Sequence, residues 1–183
     1  KKIARLVQEK KSVLDLGSVD MPNPFLANKK VIGFDKKNGI LTKNYTDFIS
    51  GDVTNLNLIF KKNSVETIIA GELIEHLENP ILFLKKCYQI LKKDGTLILS
   101  TPNPNSIIER LLTITLSKKY FYTKDHVMLY PQRWLIRILK ISGFKKIKLY
   151  SGGMITPFSS SLMPFPRAWC YQTIAVAQKL NNK

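Results

Sequence analysis

The sequence predicts an α/β fold, in which a doubly wound, mostly parallel sheet carries helices on both faces. Short apolar runs that suit strands alternate along the chain with stretches of helical periodicity. The runs lack polar alternation, which is typical of strands that helices cover on both sides. A length of 183 residues, with 44% hydrophobic and 23% charged residues, fits a single domain over residues 1–183 with a sizeable core.

The N-terminal part of the chain supplies five predicted strands and two of the helices. A short amphipathic helix is predicted over residues 2–10, where Ile3, Leu6 and Val7 recur at helical spacing. The clearest helix covers residues 80–91, because proline suits its first turn and Gly95 follows its end. The predicted strands cover residues 12–17, 31–35, 47–50, 65–70 and 96–100.

The C-terminal part has a different pattern, with helices predicted over residues 106–116 and 131–141 and strands over 145–150 and 171–177. Between these strands, residues 151–166 read as one long irregular loop, and such a loop is either functional or loosely ordered. The chain begins with Lys1 rather than Met, so the single predicted domain leaves room for residues upstream.

Polar residues follow successive predicted strands, where ligands bind in open α/β sheets. A glycine after the first strand lets backbone approach a ligand closely, and a carboxylate after the second can accept both hydroxyls of a ribose. A carboxylate after the third can accept from an exocyclic amine. An acid at any one of these positions is more often a helix cap or a solvated loop residue, but together they describe an adenosine pocket. The residues are Asp15, Gly17, Asp35, Asp52, Gly71, Glu72 and Thr101.

Several segments resemble the class I S-adenosylmethionine-dependent methyltransferases over nearly the whole chain. The specific ones are residues 71–80 (GELIEHLENP) and 91–103 (LKKDGTLILSTPN), joined by the shorter VLDLG, VIGFD, GDV and LKISGF runs. The resemblance implies a Rossmann-like, seven-stranded sheet whose last strand is antiparallel, with S-adenosyl-L-methionine as cofactor. It also implies a set of cofactor-binding residues: Asp15, Gly17, Ser18, Asp35, Asp52, Val53, Gly71 and Glu72.

The first motif departs from the pattern of the family. The family usually continues it as GxGxG, whereas residues 17–22 read GSVDMP and hold one glycine only. The side chains of Val19 and Met21 would narrow this turn and restrict its dihedral angles. A non-catalytic methyltransferase-fold module, acting as a partner or scaffold, is therefore an alternative to an active enzyme.

Candidate catalytic residues follow the fourth strand. Glu72, Glu75 and His76 are three and four residues apart, so a helical stretch would place them on one face. We predict His76, Glu72 and His126 as catalytic. The resemblance extends to ubiquinone-pathway O-methyltransferases and small-RNA 3′-end 2′-O-methyltransferases, whose E-x-x-E-H arrangement holds Mg²⁺. It implies Glu72, Glu75, His76 and His126 as a metal set, while many relatives with this segment use no metal.

The acceptor is expected to be a sugar, glycan or small metabolite, methylated on oxygen. The segments 102–131 and 151–168 are expected to set specificity, and an apolar lip there suits a partly hydrophobic acceptor or a homodimer contact. Trp134 and Trp169 are interpreted as packing residues rather than platforms for a sugar, although Trp169 comes just after the predicted loop. The net charge of +16 motivates the runner-up, a metal-assisted RNA 2′-O-methyltransferase. Against RNA, the lysines form scattered doublets, and a base-composition bias of the genome explains them equally well.

The sequence lacks the patterns of membrane spans, signal peptides and paired cysteines, and this predicts the location of the protein and the state of its cysteines. No apolar run approaches the ~20 residues that a transmembrane helix needs, and no signal-peptide core follows the basic start. Cys87 and Cys170 have no metal or redox spacing, so both are expected to be free, buried thiols in a reducing cytoplasm.

Overall fold

Nine strands and five α-helices make up the structure, a computed structural model that describes residues 2–7, 12–20, 22–26, 30–38, 45–114, 125–156, 159–163, 166 and 168–180. The strands are β1 (Val13–Leu16), β2 (Val31–Asp35), β3 (Asp47–Ser50), β4 (Val65–Gly71), β5 (Leu91–Pro102), β6 (Lys145–Ser151), β7 (Met154–Thr156), β8 (Ser159–Met163) and β9 (Gln172–Gln178). The helices are α1 (Lys2–Leu6), α2 (Leu56–Ile59), α3 (Pro80–Ile90), α4 (Ile107–Ile114) and α5 (Gln132–Ile141), with 3-10 turns at Pro24–Leu26, Val53–Asn55 and Ile74–His76.

Seven of the strands form one sheet in the order β3-β2-β1-β4-β5-β9-β6. The pairs from β3 to β5 are all parallel, whereas β9 runs antiparallel to both β5 and β6. This arrangement confirms the predicted fold class, including the antiparallel last strand. The parallel strands bring their carboxyl ends to one edge of the sheet, which is where the polar residues singled out by the sequence lie.

Alternate residues of the strands pack into two cores, one on each face of the sheet. Leu14 belongs to the larger core together with residues of α3 and α5, whereas its neighbour Val13 belongs to the smaller core beside α1. Helix α3 begins where predicted, since Asn79 caps it by accepting from the amide of Leu82. Both cysteines are free and buried, as expected. None of the described helices has the length and apolar character to cross a membrane.

One loop expectation is wrong. Residues 151–166, predicted as an irregular stretch, contain the antiparallel pair β7–β8, which forms a separate two-stranded sheet. The two residues between these strands in the sequence, Pro157 and Phe158, are not the Asn-Gly or Asp-Gly pair that usually indicates a hairpin, and β8 begins with three serines. Strand β5 is also longer than predicted, because it begins at Leu91 directly after α3 ends. The first helix is shorter than predicted and ends at Leu6.

Candidate functional site

Gly17 is the point where two clefts meet at the carboxyl edge of the sheet. Its φ angle of +72° lies in the left-handed region, which favours glycine, and its amide donates to the carbonyl of Phe34 at 2.8 Å. The chain therefore leaves β1 by turning over the end of β2, and Gly17 forms part of both cleft walls. This is the one glycine of the family's first motif that the sequence retains.

The first cleft, which we call the Asp35 cleft, has a volume of about 500 Å³. Its wall includes Gly17, Asp35, Asp52, Val53 and His76. Four of these residues were predicted to bind the cofactor, and they come from the ends of three different strands. The structure therefore gathers the predicted ribose and adenine contacts around one cavity.

The Asp35 carboxylate is held in place by backbone amides. One oxygen accepts from the amide of Val19 at 2.9 Å, and the other accepts from the amide of Lys37 at 3.0 Å. A carboxylate offers about four lone-pair positions, so two remain for hydroxyl donors. Val19 interrupts the glycine pattern, and its backbone amide, rather than its side chain, holds the Asp35 carboxylate.

Asp52 has two roles in the same cleft. It caps the 3-10 turn Val53–Asn55 by accepting from the amide of Thr54 at 2.8 Å. That hydrogen bond, assisted by Lys36 at 3.8 Å, lowers the pKa of Asp52. The capping role that the sequence left open is therefore present, and the carboxylate remains an acceptor at the cleft wall.

The second cleft, the Glu72 cleft, has a volume of about 330 Å³ and includes Asp15, Gly71, Glu72 and Gln172 in its wall. The Glu72 carboxylate accepts from the side-chain amide of Gln172 at 2.7 Å. Burial raises the pKa of Glu72. Glu72 has a φ of +47°, so the backbone at the end of β4 turns sharply and directs its side chain to Gln172.

Asp15 and Ser18 are the two predicted cofactor-binding residues that are buried. Asp15 is 5% exposed and accepts a hydrogen bond from the Tyr45 hydroxyl, while burial raises its pKa to about 6. Ser18 is 4% exposed, and its hydroxyl lies beside Gly33 of β2, where an added Cβ would meet it at 2.9 Å. Ser18 therefore packs under the turn instead of facing the Glu72 cleft.

Glu75, His76 and His126 form a cluster whose side-chain ligand atoms all lie within 4.8 Å of one another. The two imidazole rings meet edge to face with centroids 4.8 Å apart. Nδ1 of His76 lies 2.8 Å from the carbonyl oxygen of Asp125, which can only accept, so Nδ1 carries the proton of the neutral ring. Nε2 of His76 is thereby left as the basic nitrogen. Burial, followed by the neighbouring His76, lowers the pKa of His126.

Glu75 is fully buried at the centre of this cluster. One carboxylate oxygen accepts from the Thr101 hydroxyl at 3.0 Å, and the backbone carbonyl accepts from the amides of Val127 and Met128. Burial and the nearby Glu72 carboxylate raise the pKa of Glu75 to about 7. Among the described residues, the other Glu75 oxygen and the buried Tyr130 hydroxyl have no hydrogen-bond partner. These two atoms are suited to a bound ion or polar ligand.

The predicted common face of Glu72, Glu75 and His76 is not present. The 3-10 turn covers only Ile74–His76, and the left-handed backbone at Glu72 separates that residue from it. Glu72 consequently belongs to the Glu72 cleft, while Glu75 and His76 join His126. The structure brings together three of the four residues predicted as metal ligands.

The cluster fits a divalent metal, but its donor set differs from that of a typical Mg²⁺ site. Mg²⁺ favours oxygen ligands in an octahedron, whereas two imidazoles and one carboxylate suit Mn²⁺ and later first-row ions. The hydrogen bond from His76 Nδ1 to a backbone carbonyl is the kind of support that metal-bound histidines receive. The residues present would hold Mn²⁺ more readily than Mg²⁺.

Two residues at the site were not anticipated from the sequence. Gln172 positions Glu72 across 100 residues of sequence, and Tyr45 positions Asp15 across 30. Gln172 carried one usable signal, since it is a polar residue at the start of a strand that is otherwise apolar. Tyr45 carried none, because it lies in a segment without periodicity.

Both tryptophans, interpreted above as packing residues, are substantially exposed. Trp134 is 60% exposed and Trp169 is 48% exposed, and both line a cleft beside α5. Trp134 is the third residue of α5, on the face that does not join Leu135 and Leu139 in the core. The apolar lip predicted for residues 102–131 and 151–168 includes three phenylalanines, Phe121, Phe158 and Phe165, which lie outside the described residues.

Comparisons with known proteins agree with this architecture. A family model described as a methyltransferase domain matches residues 1–149. A solved S-adenosylmethionine-dependent methyltransferase of Thermotoga maritima, named as a possible histamine N-methyltransferase, superposes with a TM-score of 0.75 at 18% identity, covering 97% of this chain and 86% of its own. One from Archaeoglobus fulgidus gives 0.70 at 16% identity, covering 97% and 93%. A Haloferax volcanii methyltransferase bound to the Trm112 activator gives 0.65 at 16% identity, covering 99% and 87%. No curated protein matches the sequence.

Proposed function

This chain belongs to the family of class I S-adenosylmethionine-dependent methyltransferase domains, and we propose that it methylates a hydroxyl group of a sugar, glycan or other small metabolite. The observation that carries the proposal is the Asp35 cleft, whose single wall includes both a carboxylate suited to a ribose and the His76 imidazole. A nucleoside-binding group and a basic group at one cavity are what a nucleoside-linked transfer reaction needs.

The cofactor fits the residues present. Asp35 keeps two lone-pair positions for the ribose hydroxyls, and Asp52 offers an acceptor for the adenine amine. The positive φ of Gly17 brings backbone, without a side chain, between the Asp35 and Glu72 clefts. We assign the nucleoside to the Asp35 cleft and the amino-acid portion to the Glu72 cleft. When bound, the cofactor supplies an electrophilic methyl group on a positively charged sulfur.

His76 acts as the general base in this proposal. Its Nδ1 proton is committed to the Asp125 carbonyl, so Nε2 is free to take the proton of the acceptor hydroxyl. With the cofactor bound, the acceptor oxygen that loses its proton to Nε2 would take the methyl group, and the sulfur would keep the electrons of the bond that breaks. Glu75, buried beside the ring, stabilises the imidazolium that results.

Calorimetric titration with S-adenosylhomocysteine tests the cofactor half of the proposal. Micromolar affinity is expected for the folded chain, and a screen of sugars, sugar phosphates and small amines then identifies the acceptor. Amines are included because a structural relative is named for N-methylation. A folded sample that fails to bind millimolar S-adenosylhomocysteine would replace the enzyme proposal with the scaffold alternative.

A second candidate, metal-assisted methylation of an RNA 2′-hydroxyl, is favoured by the Glu75–His76–His126 cluster and by the net charge of +16. In this alternative the bound ion would act as a Lewis acid toward the acceptor oxygen. The two histidines and Glu75 would hold the ion, and Glu72 would stay with Gln172.

Direct metal titration separates the two candidates. Mn²⁺ binding, followed by the loss of the paramagnetic signal of the free ion, should be abolished by His126→Asn if the cluster is a metal site. Saturable Mn²⁺ binding together with methylation of a short RNA that stops on chelation would favour the second candidate. Methylation of a sugar that persists in excess chelator would establish the first.

A further inference from the structure

We propose that the cleft between α4, α5 and the segment before β9 anchors the acceptor by a sugar linked to phosphate, a glycosyl phosphate. This cleft, which we call the Trp–Arg cleft, has a volume of about 320 Å³. Its wall includes Arg110, Arg133, Trp134 and Trp169, with Asn105 and Gln132. The inference rests on the proposed function for the acceptor role of the ligand, while the binding itself is tested separately.

The arginines indicate an anionic group. Both guanidinium groups belong to exposed residues, and the ion pairs found among the described residues lie elsewhere in the molecule. No carboxylate occurs among the described residues of the cleft wall. Two of the five arginines in a chain dominated by lysine are therefore gathered at one cavity. A planar guanidinium matches the oxygens of a phosphate better than a lysine does.

The tryptophans indicate a ring beside the anion. Trp134 and Trp169 are 60% and 48% exposed, which leaves large apolar ring surfaces open to the cavity and to solvent. Indole faces of this kind pack against the carbon–hydrogen faces of a sugar ring or against another aromatic ring. The side-chain amide of Asn105 adds a polar group suited to a sugar hydroxyl. A phosphate with a ring attached uses both kinds of side chain, whereas a bare phosphate uses only the arginines.

The Trp–Arg cleft adjoins the candidate catalytic cluster along the chain and across the sheet. The segment that carries His126 leads through Tyr130, whose unpartnered hydroxyl lies near Glu75, into Pro131 at the cleft wall. Across the sheet, Gln132 donates to Thr173, the residue after the Gln172 that holds Glu72. These two connections support an acceptor role for a ligand bound in the Trp–Arg cleft.

Intrinsic fluorescence tests the inference directly, because Trp134 and Trp169 are the only two tryptophans in the chain. Titration of the full chain with glucose 1-phosphate should give a saturable change in emission. Glucose and inorganic phosphate, which each carry half of the ligand, should bind at least about tenfold more weakly. Uridine diphosphate glucose and a polyprenyl phosphoglucose in detergent then distinguish a soluble source from a lipid-linked source of the same group.

Matched variants locate the binding. Arg133→Gln and Arg110→Gln should each weaken glucose 1-phosphate binding about tenfold or more. Arg137→Gln, an exposed arginine on the same helix that is absent from the described cleft wall, should change it less than twofold. Thermal unfolding of each variant checks that the fold is retained. If Arg137→Gln weakened glucose 1-phosphate binding as much as Arg133→Gln does, the inference would be overturned in favour of a general effect of the +16 charge.

Other outcomes also overturn the inference. Equal affinity for inorganic phosphate and glucose 1-phosphate would make the cleft an anion site only. Tighter binding of a uridine tetranucleotide would assign it to nucleic acid. Titration with S-adenosylhomocysteine on the same samples separates the two proposals. Binding of S-adenosylhomocysteine without binding of glucose 1-phosphate refutes only this inference. Binding of glucose 1-phosphate without binding of S-adenosylhomocysteine refutes only the proposed function.

Discussion

The Asp35 cleft is held together by local contacts, whereas the Glu75–His76–His126 cluster is assembled from distant parts of the chain. Asp35 bonds to amides 2 and 16 residues away. His76 meets Asp125 across 49 residues, and Glu72 meets Gln172 across 100. This difference indicates that the nucleoside side of the site forms with β1 and β2. The acceptor side depends on how the segment around 125–130 docks, and the Glu72 cleft depends on the segment around 172. Substitutions should therefore affect one side without the other.

The largest expected effect is on the acceptor side. His76→Asn keeps a donor toward the Asp125 carbonyl but removes the basic nitrogen, so turnover should fall at least about 100-fold. Affinity for S-adenosylhomocysteine should stay within about threefold of wild type. Steady-state kinetics with the acceptor from the screen and calorimetry measure the two quantities. If His76→Asn and His126→Asn reduced turnover equally, a metal shared by the two histidines would be indicated instead. If His76→Asn kept wild-type turnover, His76 would be excluded as the base.

Asp15→Asn should change stability on the cofactor side in a pH-dependent way. Burial raises the pKa of Asp15 from 3.8 to about 6, so the folded state binds this proton more tightly than the unfolded state does. The wild type therefore loses stability as pH rises from about 4 to about 6, and the asparagine variant avoids this loss. Relative to wild type, the variant should gain up to about 3 kcal/mol between pH 4 and pH 7.

Urea denaturation of both proteins at the two pH values measures that gain. At each pH, the free energy of unfolding of the wild type is subtracted from that of the variant. Comparing this difference at pH 7 and pH 4 removes the constant effect of altering the hydrogen bond to Tyr45. An equal difference in the free energy of unfolding at the two pH values would show that burial does not raise the pKa of Asp15.

Asp35→Ala should weaken S-adenosylhomocysteine binding more than tenfold, because it removes an acceptor for two ribose hydroxyls. Asp47→Ala provides the matched control, since Asp47 is an exposed acid at the opposite end of the neighbouring strand β3. Calorimetry on both variants gives the comparison. Unchanged affinity for Asp35→Ala would mean that the nucleoside is assigned to the wrong cleft.

The smallest effects come from a pair of glycines. A Cβ at Gly33 would lie 2.9 Å from both the Ser18 hydroxyl and the Tyr45 ring, so Gly33→Ala should destabilise the fold by about 1–3 kcal/mol. A Cβ at Gly71 would lie 3.6 Å from the Ser100 hydroxyl, an ordinary contact. Gly71→Ala should therefore keep wild-type stability while weakening cofactor binding, because its methyl group enters the Glu72 cleft. Thermal unfolding and calorimetry on the pair check both statements.

The parallel half of the fold could be predicted because its signals are local. The strands β2 (Val31–Asp35) and β3 (Asp47–Ser50) have the bounds that the sequence predicts, since each is a short run followed by a turn with a polar residue. The position of Asp35 at the end of its strand follows from the same local pattern. The hydrogen bond from the Val19 amide to Asp35 could not be predicted, because the sequence suggested that the Val19 side chain narrows the turn.

The parts of the site that depend on long-range contacts could be predicted only in part. His76 and His126 were singled out, but periodicity suggested a helical face that the left-handed backbone at Glu72 prevents. Glu72 pairs with Gln172, and no local signal connects residues 100 positions apart. Trp134 follows helical spacing, and that spacing alone does not reveal that its face of α5 stays exposed. The partner of Glu72 and the exposure of Trp134 are both decided by how separate elements pack, which no local pattern reveals.

The position of β9 has a consequence for synthesis on the ribosome. This strand, residues Gln172–Gln178, lies between β5 and β6, both of which are translated before it. Until it leaves the exit tunnel, those two strands have unpaired edges and the sheet remains two separate pieces. The parallel half can form during translation, whereas the Trp–Arg cleft and the Gln172–Glu72 contact form only after that strand has emerged. A nascent chain stalled before residue 172 should therefore be a favoured target for chaperones.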